Sequence, residues 1–109
     1  MEIKKIKIYQ TKEGKEPFRN WFLDLDNTQK VKIQTRLKRL EAGYFGLFRK
    51  LQNGIFELKF DSGIRIYFSE LDKVIILLLT GGNKTRQSNG IKTAENYLKD
   101  YIKRSREND

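Results

Sequence analysis

The fold of this chain is set by one stretch, which reads GIFELKF (residues 54–60), DSG (61–63) and IRIYF (64–68). The first and third segments alternate apolar with polar or amphipathic positions at a period of two, which predicts two strands that each bury one face. A three-residue turn keeps the buried faces of both strands on the same side, whereas a two-residue turn mixes them. Gly63 stands where such a turn needs a left-handed residue, so we predict a hairpin with a three-residue turn.

The other face of the hairpin, which we expect to point outward, carries four charged or phenolic side chains: Glu57, Lys59, Arg65 and Tyr67. The predicted register places Lys59 directly opposite Arg65, and like charges in that arrangement destabilise a sheet. Two interpretations are open. Either the long side chains splay into water, or the face is built to hold an anion.

The segments on either side of the hairpin predict the remaining elements. Isoleucines alternate with lysines over residues 5–8 in a first strand, and the continuous apolar run over 74–79 predicts a strand that is buried on both faces and central in the sheet. Apolar side chains at helical spacing predict three helices, the first opening at Pro17, the second ending at Gly43 and the third beginning near Ile91. The order β-α-α-β-β-β-α predicts an α+β domain in which the first two helices form a hairpin on one face of a small, mostly antiparallel sheet.

The composition narrows the classes of function. The chain has 109 residues, enough for a single domain over 1–109, and none of its apolar runs is long enough to cross a membrane. It contains neither cysteine nor histidine, so we expect neither a metal nor another cofactor. A formal charge of +9 favours a polyanionic partner such as nucleic acid, and no signal-peptide pattern is present, so we expect a soluble, cytoplasmic protein.

Basic side chains are concentrated on the predicted second helix, where only Glu41 supplies an opposing acid. Ion pairs within the helix therefore do not account for them. A solvated face is the plain interpretation, and contact with a nucleic-acid backbone is the functional one. The residues that we predict to contact the RNA backbone are Lys32, Arg36, Lys38, Lys50 and Arg86.

A second group of side chains converges, in the predicted sheet, on the carboxyl end of the strand over 74–79. The glycines at 81 and 82 predict a flexible turn that presents Lys84 from a rigid support. If this strand lies beside the strand of Arg65, then Lys84 approaches both Arg65 and Lys59.

This cluster suits the cleavage of RNA by attack of its own 2′-hydroxyl group. The reaction needs a group that takes the hydroxyl proton, cations that hold the charge on the phosphorus, and a proton for the leaving 5′-oxygen. Arg65 suits the second role as a planar bidentate donor, and Lys84 suits proton transfer. Tyr67 is placed to stack on a base or to orient the phosphate. The candidate catalytic residues are Lys59, Arg65, Tyr67 and Lys84.

Three segments, at 54–59, 63–68 and 75–84, resemble the RelE/ParE superfamily of bacterial toxins, and among them most closely the HigB-like, phage-related group of addiction module killers. Further positions over nearly the whole chain fit the same pattern: Thr11, Pro17, Phe18, Trp21, Gln87, Ile91 and Ala94. The resemblance implies a RelE-like fold and the toxin of a type II toxin–antitoxin system. Its activity would be that of a metal-independent, ribosome-dependent mRNA endonuclease that inhibits translation.

The resemblance also implies partners and site residues. The partners are the ribosome with its mRNA and a cognate antitoxin, which in the HigB-like group is commonly a helix-turn-helix protein. The motif positions of the catalytic residues fall on Lys59, Arg65, Tyr67 and Lys84. The chain departs from the pattern at three positions: Lys59 stands where arginine is usual, and Asn83 and Gly90 stand where aspartate is usual.

Two other functions are open on the same fold. A ParE-like gyrase inhibitor acts by binding a protein and needs no nuclease chemistry. A non-enzymatic RNA-binding domain needs only the basic surface. The predicted convergence of Lys59, Arg65, Tyr67 and Lys84 favours the nuclease, because an inhibitor does not need converging cations on a sheet.

Overall fold

The computed structural model of the protein describes residues 3–107. Its elements are β1 (Lys5–Ile8), α1 (Pro17–Leu23), α2 (Asn27–Glu41), β2 (Phe48–Lys50), β3 (Phe56–Lys59), β4 (Ile64–Glu70), β5 (Ile75–Asn83) and α3 (Gln87–Glu107). Short 3-10 turns at Gln52–Gly54 and Lys84–Arg86 precede β3 and α3. The predicted α+β class is confirmed, with its two N-terminal helices, its mostly antiparallel sheet and its C-terminal helix.

The five strands form one sheet in the order β1-β5-β4-β3-β2. Only the pairing of β1 with β5 is parallel among the described strands. As predicted from its continuous apolar run, β5 lies inside the sheet with both faces covered. β2 was not predicted, because its three residues are all exposed at the edge of the sheet and follow no buried pattern.

The predicted three-residue turn between β3 and β4 is confirmed. Lys59 pairs with Arg65 across the two strands. The N–H group of Gly63 donates to the carbonyl oxygen of Phe60 at 3.0 Å, and Gly63 has a φ angle of +97°, which favours glycine.

Helices cover both faces of the sheet. α1 and α2 pack on one face, where the buried residues are Phe18, Ile33, Leu40, Phe56, Leu58, Ile64, Ile66, Phe68, Ile76 and Leu78. α3 packs on the other, where they are Tyr9, Ile55, Tyr67, Leu77, Leu79, Ala94 and Leu98. Within residues 3–107, no helix has the length and apolar character that a membrane span requires.

α3 begins at Gln87, four residues before the predicted start near Ile91. The predicted start leaves Gly90 outside the helix, whereas Gly90 lies inside it and packs against the sheet. The far half of α3 is tied to the end of β1 by Tyr9, whose hydroxyl group donates to the Asp100 carboxylate at 2.5 Å. Burial, assisted by this hydrogen bond, raises the pKa of Tyr9 to about 12.

Candidate functional site

A β-bulge shapes the end of the sheet where the candidate residues lie. The register between β4 and β5 shifts between Tyr67 and Phe68, which leaves Leu79 as the extra residue of β5. Beyond the bulge, Gly82 pairs with Arg65 and therefore shares its face of the sheet. The bulge thus sets which residue of β5 lies beside Arg65.

Lys59, Arg65 and Gly82 form a row across three strands, because Arg65 pairs with both of the others. Beyond its chain neighbours, no atom of residues 3–107 lies within 4 Å of the position that a Cβ atom of residue 82 would take. Because glycine has no side chain, position 82 leaves an opening beside Arg65. We call this opening the Gly82 opening.

Lys84 reaches the same end of the sheet from the 3-10 turn that follows β5. Its N–H group donates to the carbonyl oxygen of Gly63 at 2.8 Å. The side chain of Asn83 caps the turn by accepting hydrogen bonds from the N–H group of Thr85, at 3.1 Å, and from the Thr85 hydroxyl group. Lys84 thus lies against the turn that joins the strands of Lys59 and Arg65. The structure brings these three cations to one end of the sheet.

The glycines at 81 and 82 do not form the predicted flexible turn, because both lie within β5. A Cβ atom at position 81 would come within 2.2 Å of the Trp21 ring, so the packing of α1 on this strand requires glycine there. Lys84 is therefore presented from the end of a packed strand.

Arg65 does not face solvent, and the prediction of an outward-facing side chain is wrong. It is only 8% exposed, because α3 covers this face of the sheet. Its Nη1 atom donates to the carbonyl oxygens of Phe60, at 3.1 Å, and Ile64, at 2.9 Å. These acceptors explain how the sheet tolerates Lys59 opposite a second cation, since backbone oxygens carry partial negative charge.

Tyr67 is fully buried beneath α3, so it does not stack on a base in this conformation. The close approach of α3 depends on Gly90: a Cβ atom there would lie 2.8 Å from the Tyr67 ring. Burial, with the nearby Glu57 carboxylate, raises the pKa of Tyr67 above its usual value. The phenol is therefore protonated near neutral pH.

Glu57 is the centre of a polar cluster that the sequence pattern does not reveal. It is fully buried, although the strand pattern placed it on an outward face. Arg49 lies opposite it in β2, with Nη2 at 3.2 Å from the carboxylate, and Gln87 Nε2 donates to the other carboxylate oxygen at 2.6 Å. The cluster joins β2, β3 and α3. The sequence does not indicate Arg49 as the partner of Glu57, because β2, the strand that carries Arg49, was not predicted.

Four of the five residues that were predicted to contact RNA are exposed: Lys32, Lys38, Lys50 and Arg86. Arg36 differs, because its guanidinium group donates to the carbonyl oxygens of Phe45, at 3.4 Å, and of Leu47 and Lys59. It also lies over the Phe60 ring, 4.5 Å from its centre. Arg36 therefore joins α2 to the start of β2 and the end of β3.

The fold and the site define a small, basic α+β protein with three cations at one end of its sheet. No protein-family model matches the chain. Over 81 residues it is 41% identical to an uncharacterized protein of Haemophilus influenzae, and the alignment covers 72% of this chain and 82% of that protein. The chain belongs to the same family as this Haemophilus influenzae protein.

Proposed function

We propose that this protein is the toxin of a type II toxin–antitoxin system in the cytoplasm, a ribosome-dependent mRNA endonuclease neutralised by a cognate antitoxin. The observation that carries the proposal is the row of Lys59, Arg65 and Gly82, with Lys84 at the adjoining turn. It places cations on a rigid support beside an opening. The resemblance of the hairpin and of β5 to RelE/ParE toxins supports the same function.

In the proposed reaction, the 2′-oxygen of the RNA attacks the adjacent phosphorus atom and the bond to the 5′-oxygen breaks. The products are a 2′,3′-cyclic phosphate and a free 5′-hydroxyl group. Arg65 and Lys59 would stabilise the charge that develops on the phosphate oxygens. Lys84 is exposed and would exchange the proton with the reacting oxygens. The ribosome would supply the alignment of the RNA, which lowers the entropic part of the barrier.

The burial of Tyr67 changes its proposed role. A phosphate would approach Arg65 through the Gly82 opening, since α3 covers the rest of this face. Tyr67 would then act as a positioning residue that supports the neighbouring Arg65 from below α3, instead of contacting a base.

Cleavage of a defined mRNA on programmed ribosomes tests the proposal, with Lys84→Ala as the main variant. The Lys84 side chain is exposed, so the substitution should leave the fold intact. Loss of the proton-transferring group should lower the cleavage rate about a hundredfold or more. Lys12→Ala, which removes an exposed lysine from the loop between β1 and α1, is the matched control and should cleave like the parent.

Circular dichroism and urea unfolding establish that both variants are folded. Parent-like cleavage by folded Lys84→Ala would remove Lys84 from the reaction. A parent protein that leaves ribosome-bound mRNA intact, and whose expression leaves growth unaffected, would refute the nuclease.

Arg65→Lys is a better second variant than Arg65→Ala. Alanine would leave the carbonyl oxygens of Phe60 and Ile64 without their donor, so a loss of activity would be confounded with a loss of stability. Lysine keeps the positive charge but lacks the bidentate geometry. We expect cleavage to fall on the order of a hundredfold, with little change in unfolding.

One observation favours a second candidate function, a non-enzymatic RNA-binding domain. α3 buries Tyr67 and most of Arg65, whereas Lys32, Lys38 and Arg86 are exposed. Binding to ribosomes that weakens steeply with salt, without cleavage, would support this candidate. Defects in DNA supercoiling with intact mRNA would instead support a gyrase inhibitor.

A further inference from the structure

A groove of about 540 Å³ lies between α2, the start of β2 and the end of β3. Its charged lining residues are Lys32, Arg36, Arg39, Lys59 and Asp61. The guanidinium group of Arg36 donates hydrogen bonds to backbone carbonyl oxygens. The cations that can still pair with a ligand are therefore Lys32, Arg39 and Lys59. We call this feature the α2 groove. Its charge favours an anionic occupant.

The α2 groove also exposes two aliphatic side chains among these cations. Val31 and Leu47 line it, and each is 60% exposed. Val31 is an apolar residue of α2, yet it lies outside the buried cluster that this helix forms with the sheet. The ring of Phe60 also lines the α2 groove, but the guanidinium group of Arg36 already lies over it, 4.5 Å from its centre. Aliphatic side chains contribute little to RNA recognition, which relies on aromatic stacking, whereas they bind apolar side chains of a protein. The lining therefore fits an occupant with both carboxylate and apolar side chains.

Leu47 leads directly into β2, the edge strand of the sheet. The carbonyl oxygen of Leu47 accepts a hydrogen bond from the N–H group of Lys59, and the N–H group of Leu51 donates to the carbonyl oxygen of Ile55. Because hydrogen bonding alternates along an antiparallel strand, the backbone groups of Phe48 and Lys50 point away from β3. No strand pairs with this outer edge in the part of the chain that the structure describes. Such an edge offers hydrogen bonds to an extended peptide backbone.

We propose that the α2 groove and the edge of β2 bind an extended, acidic segment of a partner protein. Its aliphatic side chains contact Val31 and Leu47, and its carboxylates pair with Lys32 and Arg39. Its backbone adds to the outer edge of β2. The proposal does not rest on the nuclease, because it uses only the surface of the folded protein.

Fluorescence anisotropy with three labelled probes tests the proposal. The probes are a decapeptide in which glutamate alternates with valine, a decapeptide of glutamate alone, and a ten-nucleotide oligouridylate. The alternating peptide should bind about tenfold more tightly than decaglutamate, because only it brings apolar side chains to the α2 groove. It should also bind more tightly than the oligonucleotide.

Two double variants separate the apolar contribution from the charge. Val31→Gln with Leu47→Gln keeps the net charge and should weaken the alternating peptide about tenfold, while decaglutamate is unaffected. Lys32→Glu with Arg39→Glu should weaken both peptides. The matched control is Lys12→Glu with Lys15→Glu, which changes the net charge equally on exposed residues outside the α2 groove. This control should bind the alternating peptide like the parent, apart from a small general decrease.

Three outcomes would overturn the proposal. Decaglutamate carries twice as many side-chain carboxylates as the alternating peptide, so equal or tighter binding of decaglutamate would reduce the interaction to net charge. An equal loss in both charge-reversed variants would lead to the same conclusion. Tighter binding of the oligonucleotide, lost in the Val31→Gln and Leu47→Gln variant, would assign the α2 groove to RNA. None of these outcomes depends on whether the protein cleaves mRNA, so failure here and failure of the nuclease are distinguishable.

Discussion

Gly90 controls how closely α3 approaches the sheet, and Gly90→Ala tests this directly. An added Cβ atom would lie 2.8 Å from Cε2 and 3.1 Å from the hydroxyl oxygen of Tyr67. Glycine to alanine inside a helix ordinarily raises the free energy of unfolding by about 1 kcal/mol. Overpacking of a core costs about 1–3 kcal/mol. The Tyr67 ring is fully buried, so the cost of overpacking should exceed the gain from alanine, and we expect Gly90→Ala to lower the free energy of unfolding by about 1 kcal/mol.

The assay is urea unfolding followed by circular dichroism, with Asn89→Ala as the matched control. Asn89 is exposed in the same turn of α3, so its substitution should change the free energy of unfolding by no more than about 0.5 kcal/mol. Adding Tyr67→Phe removes the hydroxyl oxygen and should return part of the loss caused by Gly90→Ala. The reasoning would be refuted if Gly90→Ala were as stable as the parent or more so, because α3 would then tolerate a side chain at this position.

Other contacts yield three further predictions. Arg36→Ala should lower the free energy of unfolding by about 2 kcal/mol, because it leaves carbonyl oxygens without a donor, whereas Lys32→Ala on the same helix should change it by no more than about 0.5 kcal/mol. Equal urea midpoints would contradict this. Arg49→Ala should lower the free energy of unfolding by about 2 kcal/mol, because it leaves the buried Glu57 carboxylate without its ion-pair partner. Adding Glu57→Gln should restore part of this loss. A double variant that is less stable than Arg49→Ala alone would count against the ion pair. The pKa of Tyr9 is raised from 10.0 to about 12 in the folded protein, so the unfolded chain loses the hydroxyl proton at a lower pH than the folded protein does. The contribution of Tyr9 to stability is therefore complete below pH 10 and is lost as the pH rises to 12. This share is about 3 kcal/mol, and Tyr9→Phe should flatten the decline in stability at alkaline pH that urea unfolding measures. An unchanged slope would exclude Tyr9 as the source of the decline.

The fold was predictable wherever periodicity and local chemistry agreed. The hairpin of β3 and β4 is the clearest case, since the alternation of side chains and Gly63 both select the same turn. The start of α2 is another, because Asp26 accepts from the N–H group of Gln29 at 2.8 Å, as a helix cap does. β2 was not predictable in this way. β2 is a strand because it pairs with β3, and its three exposed residues show no alternation of apolar and polar side chains that would predict a strand.

The sequence predicts which residues of the candidate site are neighbours, but it does not predict how deeply they are buried or what covers them. Alternation and turn length placed Lys59 opposite Arg65, which the structure confirms. The same pattern does not reveal what covers a face, and polar side chains made this one look open. The cover depends on a long-range fit, in which Gly90 gives α3 room above Tyr67 and Glu57 finds its partners on other elements. Contacts of this kind leave no periodic trace in a sequence.

The two interpretations of Lys59 opposite Arg65 meet in the contacts of the guanidinium group. The structural interpretation is supported by Nη1, which donates to two backbone carbonyl oxygens and thereby relieves the paired charges. The functional interpretation is supported by Nε, which is buried and has no hydrogen-bond acceptor among the described residues. A buried donor without an acceptor costs free energy, and that cost falls when an anion supplies one. Because Arg65 pairs with Gly82, the Gly82 opening lies on the same face of the sheet as Arg65, which is where a phosphate would approach in the proposed reaction. Holding the hairpin and holding a phosphate are therefore compatible roles for different nitrogen atoms of Arg65.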